Sequence, residues 1–261
     1  MYELIDTHAH LDEVQNLETA IEKARESGLI AIVAVGVDYE SNYEVLEIAA
    51  KYEGFVFPAL GCHPQNLGGI MAEIERNFRF IEDNIQKAVA IGEIGLDYHK
   101  KVRLRADKDT QKQVFKDVLE MARRFGKPVS VHSRYSWRDC FDLLCQSQIE
   151  RAVFHWYSGP LSVLRKFIGE GFFASATPAV EYGVEHSQAI AETPLENLML
   201  ETDAPVVYRW GTEFAYQAEP ANVATVLETV AGIKGIEPAR IAEQATQNAR
   251  TFFGLSIQGA E

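Results

Sequence analysis

The stretch DTQKQVFKDVLEMARRFGKPVSVHSR, residues 109–134, contains the unit from which the fold can be read. Val114, Phe115, Val118, Leu119 and Ala122 recur at three- and four-residue spacing, so Asp109 to Phe125 is predicted to be a helix that buries one face. Gly126-Lys127-Pro128 stops that helix, and an apolar run from Pro128 to Arg134 starts a strand that carries His132 near its end. The same couplet repeats along the chain. Strand-like runs cover Leu4 to His10, Leu29 to Val37, Val56 to Pro64, Ala88 to Leu96, Pro128 to Arg134, Arg151 to Ser158, Gly171 to Thr177 and Leu198 to Pro205. Helix-like segments lie between them at Leu17 to Ser27, Glu40 to Tyr52, Met71 to Asn84, Asp109 to Phe125, Trp137 to Gln146, Pro160 to Gly169 and Val184 to Ala191. Strands alternating with helices imply an α/β fold with a parallel, helix-covered sheet. Eight strands at nearly even spacing point to a closed (β/α)₈ TIM barrel. The tail from Glu219 to Phe253 adds two more helices, joined at Lys234 to Pro238, that can pack on the barrel. No linker or internal repeat interrupts residues 1–261, which read as a single domain.

The composition narrows the function. The chain has 261 residues and 47% hydrophobic content, enough for a large core, and a net charge of −13 from 25 Lys+Arg against 38 Asp+Glu. That balance argues against coating nucleic acid over a broad face, but leaves room for a local site acting on it. Three cysteines (Cys62, Cys140 and Cys145) fit neither a disulfide framework nor a zinc ribbon. With no basic-then-apolar leader and no run long enough to span a bilayer, a cytoplasmic protein is expected.

In such a barrel, chemistry sits at the C-terminal ends of the strands. Asp6-Thr7-His8-Ala9-His10 ends the first strand, and residues two apart share a face, so His8 and His10 both point into the barrel mouth. His63 ends the third, Glu93 and Asp97 close the fourth, and His132, His155 and Asp203 close the fifth, sixth and eighth. Only His186 of the seven histidines falls away from a strand end. Each of these alone has a plain structural explanation, since a buried histidine or carboxylate often merely satisfies hydrogen bonds. Four histidines and two acids converging on one end would leave several buried polar groups unpaired without an ion. Imidazole and carboxylate together suit Zn, Mn, Fe or Mg, and six such groups exceed what one four-coordinate ion needs.

The motifs Asp6-Thr7-His8-Ala9-His10, Gly61-Cys62-His63-Pro64, Gly92-Glu93-Ile94-Gly95-Leu96-Asp97-Tyr98, Val131-His132-Ser133-Arg134 and Leu200-Glu201-Thr202-Asp203-Ala204-Pro205 together resemble the TatD family of metal-dependent hydrolases, within the amidohydrolase-like barrels. The resemblance runs from Leu4 to about Phe253. It implies a hydrolase of DNA phosphodiester bonds, a deoxyribonuclease attacking from an end, with two divalent metal ions (Mg, Mn or Zn). Carried onto this chain, it implies His8, His10 and Asp203 at one ion, His132 and His155 at the other, and Glu93 bridging them. It further implies Asp203 as a base, with Asp6 and Glu201 orienting ligands from behind. For Glu201, a plain buried ion pair stands beside that role.

A nuclease also needs cations for the flanking phosphates. Lys100, Lys101, Arg103 and Arg105 lie in a basic run just after the fourth strand, and Arg134 and His63 are further candidates for substrate contact. Tyr208, Trp210, Phe214 and Tyr216 follow Asp203, where aromatics could either stack on unpaired bases or pack a long loop. One departure stands out. Relatives commonly carry a basic residue and Asn before Glu-Pro, where this chain has Gln217-Ala218-Glu219-Pro220. If those groups touch substrate, the alternative is a small-molecule hydrolase of an amide, lactone or phosphoester on the same two-metal barrel. A barrel kept only for binding is the third reading.

Overall fold

The computed structural model describes residues 2–69 and 71–257. Eight parallel strands lie side by side in chain order, β1 (Leu4–Ala9), β2 (Leu29–Val35), β3 (Val56–Cys62), β4 (Ala90–Asp97), β5 (Val129–Arg134), β6 (Ala152–Phe154), β7 (Phe173–Ala176) and β8 (Leu198–Leu200). Around them run α1 (Leu17–Glu26), α2 (Tyr39–Lys51), α3 (Met71–Asn84), α4 (Lys100–Arg103), α5 (Lys108–Phe125), α6 (Trp137–Gln146), α7 (Leu161–Gly169) and α8 (Val184–Glu192). Two tail helices follow, α9 (Val223–Lys234) and α10 (Pro238–Phe253). This is the predicted TIM barrel. In α5, Asp107 caps the first turn by accepting from the Thr110 N–H, and Gly126 ends the last turn at φ 63°, a left-handed position open to glycine.

The barrel closes at its mouth, where β1 meets the segment after β8. Asp203 N–H donates to His8 C=O at 2.9 Å, and His10 N–H donates to Ala204 C=O at 2.7 Å. Asp6 staples the same seam from within. Its carboxyl accepts the Thr202 N–H at 3.0 Å, the Thr202 hydroxyl at 2.5 Å and the His8 N–H at 3.2 Å.

Small and branched side chains fill the barrel interior, among them Ile5, Ala31, Val33, Ala59 and Met199. From α10, Ala249, Phe252 and Phe253 join the same cluster and plug the end opposite the mouth. The prediction that the tail helices pack on the barrel holds, and α10 specifically lies against β1 and β8.

Two predicted strands are too long. The runs Arg151 to Ser158 and Leu198 to Pro205 form regular strand only over Ala152–Phe154 and Leu198–Leu200, with an isolated bridge from Ala204 back to Ala9. The chain turns out of the ladder because Trp156 and Asp203 adopt left-handed backbone, at φ 42° and 50°. The last loop also contains an unpredicted hairpin, β9 (Val207–Tyr208) with β10 (Tyr216–Gln217). Among the described residues no helix is long and apolar enough to cross a membrane.

Phe252 is 2% exposed and meets Phe173 and Phe253 edge-on at 5.3 and 4.7 Å between ring centroids. Phe252→Ala is expected to destabilise the fold by about 3–5 kcal/mol, read by denaturant unfolding. The surviving folded fraction should keep its metal content, because the lost ring lies at the far end from the histidines.

Candidate metal centre

Five imidazoles surround one buried carboxylate at the barrel mouth. From β4, Glu93 Oε2 lies 3.7 Å from both His8 Nε2 and His10 Nε2. Its other oxygen, Oε1, lies 2.7 Å from His132 Nδ1, 3.5 Å from His63 Nε2 and 3.6 Å from His155 Nε2. Asp203 Oδ1 completes the first side, 3.4 Å from His10 Nε2 and 3.7 Å from His8 Nε2. His8, His10 and Asp203 offer ligand atoms that all lie within 4.8 Å of one another, close enough to hold one ion, with Glu93 Oε2 beside both rings. His8 Nε2 is buried and has no hydrogen-bond partner. A buried ring nitrogen aimed at two carboxylates in this way fits a metal ion.

The far side of each ring explains its aim. His10 Nδ1–H donates to Val35 C=O at 3.0 Å, leaving Nε2 with a free lone pair in the neutral ring. His155 Nδ1 is 2.7 Å from Glu201 Oε2, and His8 Nδ1 is 3.3 Å from Ser130 Oγ. His132 is turned the other way, with Nε2 3.3 Å from Asp97 Oδ2 and Nδ1 toward Glu93. Such outer contacts set tautomer and ring angle in metal sites. His8, His155 and Glu201 are also close enough to share an ion. There, however, Glu201 faces the Nδ1 sides of the rings, so a hydrogen bond accounts for the approach. His63 lies beside Glu93 and His132. Its Nδ1 accepts the Gln65 N–H at 3.1 Å, so the neutral ring carries its proton on Nε2 and presents a donor.

Of the two residues expected behind the ligands, Glu201 reaches a ring and Asp6 does not. Asp6 acts on the backbone of His8 and Thr202 through the seam. Asp97 received no role from the sequence, although it shares strand parity with Glu93 and so could have been found. Gly95 between them has φ 143°, and a Cβ there would stand 2.1 Å from His132 C=O, so only glycine lets β4 pass His132 this closely. His186 is a satisfied core histidine, with Nδ1–H donating to Tyr157 C=O and Nε2 accepting the Thr177 N–H.

The cluster opens into a cleft of about 700 Å³ whose walls include His63, Arg134, Trp156 and Val206. Arg105 lines an adjoining cleft of about 520 Å³, which shares Asp38 and Asn66 with the first. Lys100, Lys101 and Arg103 are exposed on α4 and wall neither cleft. The aromatic loop divides: Tyr208 is fully buried, whereas Trp210 and Phe214 are exposed. Ala218, where the resemblance leads one to expect Asn, is buried with its N–H on Val206 C=O, and Glu219 pairs with Lys23 and caps a turn with Asn222. That departure therefore lies in loop packing, and an Asn at 218 would point away from solvent.

The matching of this chain to known proteins is consistent along its whole length. The family model described as TatD related DNase matches residues 5–254. This chain belongs to the TatD family. The TatD-family chain is 31% identical to deoxyribonuclease TATDN3 of Homo sapiens, over 96% of this chain and 94% of that one. It is 30% identical to the Bacillus subtilis protein named metal-dependent hydrolase YabD, over 97% and 100%. The crystal structure of the Escherichia coli TatD homologue YJJV superposes with a TM-score of 0.86 at 27% identity, covering 96% of this chain and 98% of the other.

Charge balance in the TatD site follows from burial. Burial alone would raise the Glu93 carboxyl, but His63, His155 and His132 hold it well below the usual range. Burial would lower His155, yet Glu201, Asp203 and Glu93 raise it to about 10. Against the same burial, Asp203 and Glu93 raise His10 to about 9. His8 goes down, from burial and the charge of His155. Without metal, protons on His10 and His155 therefore supply the positive charge. Because both values are raised, the stability these protons confer is full below the ordinary histidine value of 6.5 and is lost as pH climbs through about 9 and about 10. A divalent ion must displace these protons. Calorimetric titration of Mn²⁺ or Zn²⁺ in buffers of different ionisation enthalpy should show proton release at pH 8, with affinity falling as pH is lowered. Binding with no proton uptake by the buffer would mean that ions bind elsewhere.

Proposed function

We propose that this protein is a divalent-metal-dependent deoxyribonuclease, hydrolysing DNA phosphodiester bonds from a strand end. The observation that carries the reading is the Glu93 carboxylate, with one oxygen toward His8 and His10 and the other toward His132 and His155. That division suits a bridge between two ions, the first held with Asp203 and the second with His132 and His155. Bound there, divalent ions would supply Lewis acidity and a water of lowered pKa. The names of the human and bacterial relatives support the same class of reaction.

The protein's own groups have distinct tasks. In hydrolysis a water oxygen bonds to phosphorus while one phosphorus–oxygen ester bond breaks, and the water's proton must leave. Asp203 Oδ2, the oxygen not turned to His8 and His10, is positioned to take it. His63 offers its Nε2–H to a phosphate oxygen. Arg134, two residues beyond His132 and on the same face, reaches the next phosphate. A cleft of about 700 Å³ suits a nucleotide or two entering end-on more than a duplex laid across the mouth.

The deciding experiment is degradation of end-labelled single-stranded DNA by chelator-treated protein given Mg²⁺, Mn²⁺ or Zn²⁺, with Glu93→Ala alongside. Metal-dependent laddering from one end is expected, and its loss in Glu93→Ala together with reduced metal content. Intact DNA under every metal, from protein that binds two ions, would reassign the centre to small-molecule esters.

The cleft geometry also ranks the cations. Arg134→Ala should raise KM for DNA and reduce the salt slope of binding by about 0.7, as for one lost single-strand phosphate contact. Lys100→Ala and Lys101→Ala should change neither, since both side chains stand clear of the cleft. Equal effects from all three would show that the substrate also runs over α4.

A further inference from the structure

Among the described residues, Trp156 is the one aromatic side chain other than histidine on the wall of the cleft that holds Glu93 and Asp203. Its backbone is left-handed, at φ 42°, which is rare for a bulky residue and marks a position held by its surroundings. Two buried groups hold it. The Trp156 N–H donates to Glu201 Oε1 at 3.0 Å and lies 3.3 Å from Ser175 Oγ. The other oxygen of Glu201 takes His155 Nδ1 at 2.7 Å. One carboxylate thus aims an imidazole at the metal centre and sets the indole beside it.

The ring is braced as well. Its centroid lies 5.4 Å from that of Tyr208, which is fully buried with its hydroxyl donating to Thr202 C=O at 2.8 Å. Next to the indole, half-buried Val206 continues the wall. Apart from Val37, the rest of the lining is polar, with His63, Gln65, Asn66 and Arg134 offering donors and Glu13 and Asp38 adding carboxylates. A phosphate group alone has no use for a rigid, half-covered indole, whereas a flat ring gains by covering it.

We infer that Trp156 and Val206 form a subsite for the nucleobase next to the scissile phosphate. This deepens the nuclease reading, which supplies the position of the phosphate. Stacking on an indole tolerates every base, because each has a π-face, so the subsite selects for an unpaired base and not for sequence. A base held in a duplex cannot reach it, which ties the subsite to single strands and frayed ends.

The test needs no catalysis. Thymidine 5′-monophosphate and deoxyribose 5-phosphate differ in the base alone, and both are titrated calorimetrically into the protein with Mn²⁺ present. The nucleotide should bind at least about fivefold more tightly, the lower bound for one base stacked on an aromatic ring. Trp156→Ala should abolish that preference while leaving deoxyribose 5-phosphate unchanged, and Trp156→Phe should keep most of it. Equal binding of the two probes to the unaltered protein, or a preference that survives Trp156→Ala, would overturn the inference. If Trp156→Ala loses both probes, the volume-retaining Trp156→Leu decides, with loss of the base preference alone in support and its retention against. Failure of the unaltered protein to cleave DNA while the base preference persists would count against the nuclease reading only.

Discussion

Glu93 carries a buried negative charge with five histidine rings within 4.0 Å of its two oxygens, and much of the barrel mouth is organised around that fact. A carboxylate only 3% exposed must be matched by positive charge or protons from nearby. Here the match comes from His8 on β1, His132 on β5 and the residues just past β1, β3 and β6. The charge therefore ties together four of the eight strands at the one end where their hydrogen-bonded ladders are finishing. Without metal the match is made by protons on His10 and His155, and an ion bound there would have to replace them.

Holding five rings around one carboxylate requires control of their other sides. Val35 C=O, Ser130, Glu201, Asp97 and the Gln65 N–H each take the far nitrogen of a different ring. These contacts divide the rings by role. His10 presents a nitrogen lone pair toward the carboxylates when neutral, while His63 presents a proton. The partners lie on β2, β4, β5, the segment after β8 and the turn after His63, so errors in any one strand's register would misdirect a ring. The seam between β1 and the segment after β8 is the most demanding case, because His8, His10 and Asp203 all depend on it. Asp6 secures that seam by bonding Thr202 and the His8 backbone, which is why its effect on the centre passes through the main chain.

The cleft has the same economy. Glu201 serves both His155 and Trp156, and Tyr208 braces the indole from a loop that composition alone would have assigned either to packing or to stacking. The loop divides: Tyr208 is buried behind Trp156, while Trp210 and Phe214 stand exposed at the hairpin between β9 and β10. Ala218 is likewise buried in loop packing and does not line the cleft.

Much of this was legible in the residues themselves. Periodicity marks Val114 to Ala122 as one helix face and Gly126-Lys127-Pro128 as its end, because backbone sterics and apolar spacing act over a few residues. Strand parity places His8 with His10 and Glu93 with Asp97 for the same local reason. The positions of Trp156 and Asp203 are of another kind. Extending their strands by pattern puts them in ladders that they leave, since their left-handed backbones are held by partners far along the chain, Glu201 and Ser175 for one and His8 C=O for the other. The sequence alone determined the barrel and which ionisable residues gather at its mouth. Which nitrogen of each histidine faces the centre, which cations reach the cleft and where the indole stands were decided by tertiary structure, because those outcomes depend on hydrogen bonds between strands that no local pattern records.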